Sequence, residues 1–169
     1  MDFIELAKGR YSCRMYSDTP VEKEKIELLL KAAQSSPSAK NLQPCHIWLL
    51  KSDEALAKMR AVHNLYKAPV ALVLGYNKDK AWVRDFDGKN HGEIDAAIMS
   101  AHIILEAHQL GLGSTWIGHF DPEKLHESFP EFDGYEITAV LAIGYKAALS
   151  LPAPMHIIRK SVEKFTTEL

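Results

Sequence analysis

Four short clusters of polar and small residues could do chemistry in this sequence, and the first of them suits a phosphate group. Arg10-Tyr11-Ser12-Cys13-Arg14 places two guanidinium groups four residues apart, with a hydroxyl group between them. Arginine offers planar, paired N–H donors that match the oxygens of a phosphate. The cluster therefore indicates an anion site, and a solvated loop of the same composition is the alternative.

The second and third clusters could surround a polar ring. Pro37-Ser38-Ala39-Lys40-Asn41-Leu42-Gln43-Pro44 runs directly into a predicted strand, and its short polar side chains and backbone amides could embrace a heterocycle. Asn64-Leu65-Tyr66-Lys67 places an amide and an ammonium group three residues apart, just before a predicted buried strand. These two groups could bind an electron-rich ring edge. The alternatives are an ordinary turn for the second cluster and an ordinary helix end for the third.

The fourth cluster, Gly111–Asp121, is rich in small residues, which let the backbone approach a flat ligand closely. Its opening, Gly111-Leu112-Gly113-Ser114-Thr115-Trp116, superficially suggests a dinucleotide fingerprint. It lacks the third glycine, however, and it follows a predicted helix instead of opening one. A flat ligand other than a resident dinucleotide is therefore the better interpretation.

Standard nucleotide, hydrolase and metal signatures are absent from the sequence. It contains neither a Walker A loop nor a Gly-x-Ser-x-Gly elbow. His91-Gly92-Glu93-Ile94-Asp95 and His119-Phe120-Asp121 hold residues of the types that bind metals, but without the spacing of a His-Glu-x-x-His or Cys-x-x-Cys motif. We predict no metal site.

Charge and cysteine content narrow the class of protein further. The chain has 20 basic and 22 acidic residues, so it lacks the basic excess expected of a protein that binds nucleic acid or an anionic membrane. Its two cysteines suit a reducing compartment. The first ten residues do not resemble a signal peptide, and apolar runs such as Ala68–Tyr76 are about half a membrane span. We expect a cytoplasmic protein.

Hydrophobic periodicity predicts an α+β protein that forms one domain over residues 1–169, because helices and strands mix without strict alternation. Helices are predicted over Val21–Gln34, Asp53–Val62, Glu93–Leu110 and near Pro122–Phe129. Strands are predicted over His46–Lys51, Val70–Tyr76, Ser114–Gly118 and Glu136–Tyr145. The segment from Ala147 to Met155 is rich in Pro and Ala, and we expect it to lie extended on another surface.

The predicted helix Glu93–Leu110 is apolar around most of its circumference, which indicates burial in a core or between subunits. Its broad apolar stripe consists of Ile94, Ala97, Ile98, Ala101, Ile104, Leu105 and His108. A small domain offers too little cover for such a helix, and large apolar patches mark interfaces. We therefore expect an obligate homodimer.

Taken in order, the four clusters resemble the FMN-dependent nitroreductase family. The matching motifs are Arg-x-Ser-x-Arg, Pro-Ser-x-x-Asn-x-Gln-Pro, Asn-x-x-Lys and Gly-Leu-Gly-Ser-x-Trp-Ile-Gly. The tail Arg159-Lys160-Ser161-Val162-Glu163 is similar to the basic C-terminal motif of that family. The resemblance covers nearly the whole chain. It implies a mixed, mainly antiparallel central sheet flanked by helices, with an extended C-terminal tail exchanged in a homodimer.

The resemblance also implies a non-covalent FMN site, with NAD(P)H as a transient reductant and a nitroaromatic, a quinone or a related small oxidant as the second substrate. The implied phosphate ligands are Arg10, Arg14, Arg159 and Lys160, and the implied contacts with the pyrimidine edge are Ser12, Asn64 and Lys67. The opposite subunit would supply Pro37, Ser38, Ala39 and Asn41. A backbone amide of Gly118 or His119 would point at flavin N5, and Tyr11 and Ile117 complete the implied cofactor contacts.

Lys67 and Gly118 are the residues to which the resemblance gives a catalytic role. Two-electron reduction of a flavin leaves negative charge at N1–C2=O, and a fixed ammonium group there stabilises it by electrostatic preorganisation. Hydride would then enter and leave at N5 in alternating half-reactions. A flavin-binding storage or sensor protein without turnover is an alternative, as is a relative with different flavin chemistry. The presence of Asn64 and Lys67 favours catalysis.

Three features of this chain differ from the family pattern, so the resemblance does not predict which oxidant the protein reduces. Cys45 stands where an aromatic residue commonly follows Gln-Pro, and Gly118 and His119 stand where some members have Glu-Gly. The chain is also short, so that the polar segment Lys78–Gly92 replaces a longer excursion. We interpret this segment as a mobile flap that carries Trp82 and Phe86 over the flavin. An exposed loop with two packing aromatics is the alternative.

Overall fold

The computed structural model describes residues 2–169 and contains five α-helices around a four-stranded sheet. The helices are α1 (Phe3–Gly9), α2 (Lys23–Gln34), α3 (Asp53–Val62), α4 (Gly92–Gln109) and α5 (Pro122–Ser128). The strands are β1 (Cys45–Leu50), β2 (Val70–Tyr76), β3 (Leu112–Ile117) and β4 (Glu136–Tyr145). The predicted α+β class is confirmed.

The sheet has the strand order β1-β2-β4-β3, and every neighbouring pair is antiparallel. The central pair is β2 and β4, in which Leu72 lies opposite Leu141. A single parallel bridge joins Ser12 to Ser114, where the segment after α1 runs beside the outer edge of β3. The prediction of a mainly antiparallel central sheet is therefore correct, and this bridge brings the first polar cluster against the fourth.

Both faces of the sheet are covered by helices, which explains why the central strands are continuous apolar runs. Val70, Leu72 and Leu74 of β2 pack in the core layer beneath α2 and α4. Ala71 and Val73 point to the opposite layer, which α3 and α5 cover. Successive side chains of a strand face opposite sides of a sheet, so a strand buried on both sides needs apolar residues throughout.

The face that α4 turns toward the sheet differs from the predicted one. Its buried residues include the small side chains Ala96, Ser100 and Ala107, which let the helix lie close to the strands. Of the predicted stripe, Ile94 is exposed and Ile98 is partly exposed, whereas Ile104 packs against the core layer. The buried face of α4 is therefore rotated in part from the predicted stripe.

The ends of several elements also differ from the predictions. The sequence predicts α3, β2 and β4 at their observed ends, whereas α2 begins at Lys23, two residues later than predicted. β3 begins at Leu112 and ends at Ile117, because Gly111 has a φ of +77° that turns the chain straight from α4 into the sheet. The shift moves Gly118 just beyond the strand.

The tail after β4 is extended, as predicted, apart from short 3₁₀ turns at Pro154–Ile157 and Val162–Lys164. It carries large apolar side chains that are largely exposed, among them Leu151 at 80% and Ile157 at 83%. Within residues 2–169, none of the helices has the length and apolar composition needed to cross a bilayer.

Candidate functional site

Three arginines from the two ends of the chain lie around one pocket of about 240 Å³. Arg10 and Arg14 follow α1, and Arg159 comes from the tail. Tyr11, Ser12, Ala153, Met155 and His156 complete the lining. Burial, followed by the charge of Arg159, lowers the pKa of the Arg10 guanidinium. In the part of the chain that the structure describes, none of the three arginines forms a salt bridge. The pocket is therefore a concentrated positive site without a carboxylate to balance it.

Hydrogen bonds hold the tail against the start of the chain and so assemble this pocket. Tyr11 Oη donates to the carbonyl oxygen of Ser150 at 2.9 Å. The ring nitrogen Nε2 of His156 donates to the carbonyl oxygen of Lys8 at 2.9 Å. Tyr11 thus has an anchoring role that the sequence did not predict, because its hydroxyl group is engaged with the tail.

The Asn64–Lys67 cluster forms a strained turn. Leu65, Tyr66 and Lys67 have φ values of 55°, 53° and 62°, which lie in the left-handed region. Each such residue costs roughly 1–2 kcal/mol, so the surroundings must hold the turn in place. The Oδ1 atom of Asn64 accepts from the Tyr66 N–H at 2.9 Å, and Nδ1 of His63 accepts from the Leu65 N–H at 3.0 Å. Backbone strain of this kind clusters at functional sites.

This turn lies beside the arginine pocket. The guanidinium group of Arg14 lies 5.7 Å from the centre of the Tyr66 ring. Lys67 is exposed and also lines a second pocket of about 410 Å³, together with Lys51 and Arg60 among others. The sequence does not predict that Lys67 lines this second pocket.

The end of β3 reaches the same region. Burial, followed by the charge of His119, lowers the pKa of His63, whose Nδ1 accepts from the strained turn. Ile117 is only 4% exposed and its side chain belongs to the core beneath α3 and α5, so only its backbone could touch a ligand. The contact of Ile117 with the cofactor that the resemblance implies stays a prediction, and its backbone would make that contact, because the strand alternation turns the side chain inward.

Of the glycines in the fourth cluster, Gly118 is the one that faces open space without an unusual backbone angle. A Cβ atom built on it would meet nothing within 4 Å. At position 113 close packing requires a glycine, since a Cβ atom there would lie 2.7 Å from Sγ of Cys13. Gly111 is required for its positive φ. Gly118 is therefore the glycine of this cluster at which a flat ligand could approach the backbone.

The Pro37–Asn41 segment lies apart from the arginines. Pro37 and Ser38 line a different cavity of about 200 Å³ beside Cys45 and Asp95. Ala39 donates its N–H to Oδ1 of Asp95 at 2.9 Å, and Asn41 is exposed. Within one chain this segment does not line the arginine pocket. An opposite subunit would therefore have to supply the segment, as the resemblance implies.

Lys160 and the two aromatics of the Lys78–Gly92 segment lie outside the arginine pocket of this chain. Lys160 and Arg159 are both exposed, but only Arg159 lines the pocket. Trp82 is half-buried against the ring of His91, with 4.7 Å between ring centres. Phe86 is 97% exposed. The flap that would carry both aromatics over the flavin stays a prediction.

Tyr66, His156 and Asp95 take part in these contacts, and the sequence predicts these roles for none of them. Asp95 alone had a local signal, because it is a carboxylate of metal-binding type at the start of a largely apolar helix. For Tyr66 and His156 no signal existed, since their importance arises from contacts with distant residues.

An α+β protein with a cationic pocket built from both ends of the chain is the class that this fold and site define. The chain belongs to the Nitroreductase family, whose family model matches residues 7–63 and 57–145. The structure is similar to the crystal structure of a nitroreductase family protein from Clostridium difficile 630, with 38% identity, a TM-score of 0.92 and coverage of 99% of this chain and 98% of that one.

Two curated relatives extend the comparison. A protein of Methanothermobacter thermautotrophicus, named provisionally as an NADH dehydrogenase/NAD(P)H nitroreductase, is 35% identical over 127 residues. That match spans 73% of this chain and 64% of the relative. An FMN reductase (NAD(P)H) of Bacillus subtilis is 29% identical over 173 residues, which cover 90% of this chain and 69% of the relative.

Proposed function

We propose that this chain is an oxidoreductase that binds FMN non-covalently and uses NAD(P)H to reduce a nitroaromatic, a quinone or a related small oxidant. The observation that carries the proposal is the arginine pocket, in which Arg10, Arg14 and Arg159 converge without a carboxylate partner. FMN, when bound, supplies the capacity to take up a hydride from a nicotinamide and to pass the electrons to a second substrate.

The residues present fit this cofactor. Guanidinium groups pair with a terminal phosphate through planar, charge-assisted hydrogen bonds. A terminal phosphate enclosed by Arg10, Arg14 and Arg159 favours FMN over FAD, whose phosphates lie within the molecule. The open space at Gly118 would admit a flat ring close to the backbone. The strained Leu65–Lys67 turn, held beside Arg14 through Tyr66, supports a ligand-binding role for that segment.

In the proposed site each side chain has a distinct task. The arginines bind and orient the phosphate. Asn64 uses its carbonyl oxygen within its own turn, which leaves its NH₂ donors for a ligand. The ammonium group of Lys67, on a flexible stem at the neighbouring pocket, would stabilise negative charge on the pyrimidine edge of the ring. The backbone N–H groups of Gly118 and His119 would face N5.

We also propose that two copies of the chain form the working unit. The exposed Ile94 of α4 and the exposed apolar tail, with Leu151 and Ile157, form apolar surface that a second copy would cover. A second copy would also bring its Pro37–Asn41 segment to the arginine pocket, which that segment does not reach within one chain. Light scattering of the flavin-loaded protein at micromolar concentration should give the mass of a dimer, and a monomer with flavin still bound would contradict this proposal.

Phe86 is the residue we propose for contact with the oxidant. It stands at the tip of the Lys78–Gly92 segment, whose arms are held by a bridge between Val83 and Asn90 and by the Arg84–Asp87 ion pair. An exposed aromatic ring on a braced loop can stack on a flat molecule. Phe86→Ala should change KM for several oxidants more than it changes FMN affinity. If KM is unchanged for every oxidant tested, Phe86 does not contact the oxidant.

The proposed function is tested first by the absorbance spectrum of the purified protein. We expect a yellow protein that releases FMN on heat denaturation and is bleached by NADH or NADPH. Steady-state oxidation of each nucleotide with a nitroaromatic or a quinone then measures turnover. A colourless protein that takes up no added FMN would overturn the proposal, and a yellow protein without turnover would indicate storage or sensing.

A further inference from the structure

Asp95 is a buried carboxylate that the proposed chemistry does not use. It lies in the first turn of α4 and is 3% exposed. Its Oδ1 atom accepts a hydrogen bond from the Ala39 N–H at 2.9 Å. Its Oδ2 atom is buried and has no hydrogen-bond partner among residues 2–169. In the described chain the carboxylate also forms no salt bridge.

Such a carboxylate is costly for stability. Removing a charge from water is unfavourable by several kcal/mol unless partners compensate for it, and a single N–H donor compensates only in part. An amide or an apolar side chain would fit the core beneath α4 at a lower cost. The positive N-terminal end of α4 offsets part of this cost. The hydrogen bond to Ala39 is the specific contact that the carboxylate makes.

That contact holds a loop of unusual conformation. In the Ser38–Gln43 loop, Lys40, Asn41 and Gln43 have φ values of 50°, 56° and 51°. The loop is braced from within, since Gln43 N–H donates to Oγ of Ser38 at 3.0 Å and Asn41 N–H donates to the Ser38 carbonyl at 2.9 Å.

Internal bonds of this kind shape the loop but do not attach it to the protein. Among the described residues, the bond from Ala39 to Asp95 is the one hydrogen bond between this loop and the rest of the fold. Because a charged acceptor strengthens a hydrogen bond about twofold, Asp95 is a firm anchor for an otherwise strained and exposed segment.

We propose that Asp95 is a positioning residue, which holds the Ser38–Gln43 loop in the conformation that covers the cofactor bound by a second copy of the chain. The inference rests on the proposed function, because it gives the loop a cofactor to cover. Asp95 touches neither cofactor nor substrate in this assignment and acts through the Ala39 amide.

The test compares Asp95→Ala and Asp95→Asn with the control Glu93→Ala. Glu93 lies in the same turn of α4 but is exposed, and its side chain forms no hydrogen bond among the described residues. The first readout is amide hydrogen exchange at Ala39 in the protein freed of FMN, and the second is the dissociation constant for FMN. Asp95→Leu, which keeps the branched outline of the side chain without its acceptors, replaces Asp95→Ala if the latter fails to fold.

We expect Asp95→Ala to speed exchange at Ala39 and to raise the FMN dissociation constant, each by about tenfold, which is the loss expected for one hydrogen bond. Asp95→Asn keeps an acceptor at Oδ1, so both quantities should stay within about threefold of the wild-type values. Glu93→Ala should change neither.

Two results would overturn the inference. One is unchanged exchange at Ala39 in Asp95→Ala, which would show that the carboxylate does not anchor the loop. The other is faster exchange with unchanged FMN affinity, which would show that the loop does not cover the cofactor. A wild-type protein that binds no FMN overturns the proposed function and the cofactor role together, whereas anchoring of the loop is decided by the exchange result alone.

Discussion

Arg10 and Arg159 lie in the same pocket, although Arg10 follows the first helix and Arg159 belongs to the tail near the C-terminus. The two guanidinium groups are close enough for the charge of Arg159, together with burial, to lower the pKa of Arg10. Bringing like charges together in a fold costs electrostatic free energy, and a bound anion would offset that cost.

Arg159→Ala should weaken FMN binding by about tenfold or more, because a hydrogen bond to a charged group contributes roughly 1.5–3 kcal/mol. The matched control is Lys160→Ala, which removes the neighbouring cation of the tail that does not line the pocket. Lys160→Ala should change the dissociation constant by less than about threefold, since exposed charges contribute little. Flavin fluorescence titration measures both, and equal effects would show that only the net charge of the tail matters.

Lys67→Met should bind FMN almost normally, because the arginines hold the phosphate elsewhere. Its reduction by NAD(P)H should be about tenfold slower, since one preorganised donor near solvent is expected to contribute about 1–2 kcal/mol to the transition state. Its midpoint potential should also fall. Lys51→Met removes a lysine from the same 410 Å³ pocket and is the control. Stopped-flow reduction compares the two, and a Lys67→Met variant with wild-type rate and potential would leave its ammonium group without a catalytic role.

Gly118→Val should fold normally and yet lose FMN affinity. A Cβ atom at Gly118 meets no atom within 4 Å, so the fold accepts the larger side chain, whereas a flat ligand in that space does not. Gly113→Ala should show the opposite behaviour, because its Cβ atom would lie 2.7 Å from Cys13 Sγ and overpacking typically costs about 1–3 kcal/mol. Melting temperature and FMN titration separate the two effects. Normal FMN affinity in Gly118→Val would mean that no ligand occupies this space.

Cys45 should be a poorly reactive thiol. Burial, followed by the negative charge of Asp95, raises the pKa of the Cys45 thiol to about 12. Because the thiolate is the reactive form, alkylation at pH 8 should be about a thousandfold slower than for a free thiol. Iodoacetamide labelling followed by peptide mass spectrometry measures Cys45 separately from Cys13. Asp95→Asn should speed the labelling, and rapid modification of Cys45 in the folded wild type would contradict its burial.

Stability should fall as the pH is lowered through the histidine range. Burial, followed by the charge of His119, lowers the pKa of His63 below its ordinary value of 6.5. His63 therefore takes up a proton at a higher pH in the unfolded chain than in the folded chain. Its contribution to the free energy of unfolding is complete above about pH 6.5 and is lost as the pH falls through the pKa of the folded state. Protonation at Nδ1 also removes the acceptor of the Leu65 N–H.

His63→Asn tests this assignment, because an asparagine oxygen can accept from the N–H two residues later without titrating. The slope of the unfolding free energy against pH, measured by denaturant titration between about pH 5 and 7, should be smaller in the variant. The remaining slope includes His108, whose pKa is lowered by burial and by the charges of Lys146 and Arg10. An unchanged slope would show that His63 does not contribute.

Local patterns were enough to predict several elements at their observed ends. β2 and β4 are apolar runs bounded by polar residues, and α3 begins after Ser52, whose side chain caps the Ala55 N–H at 3.2 Å. Signals of this kind lie within a few residues of one another. The order of the four polar clusters likewise identified the family, because motif spacing is a property of the chain itself.

Only the tertiary structure decided how these parts meet. It turned Ile117 into the core, placed Lys67 at the lining of a second pocket, and joined Asp95 of α4 to Ala39 of the Ser38–Gln43 loop. The direction of a side chain depends on strand register, and a shift of one residue reverses it. Contacts between distant segments depend on how the helices pack on the sheet. Residue types and motif order are therefore determined by the sequence, whereas the geometry of the pocket arises only when the two ends of the chain come together.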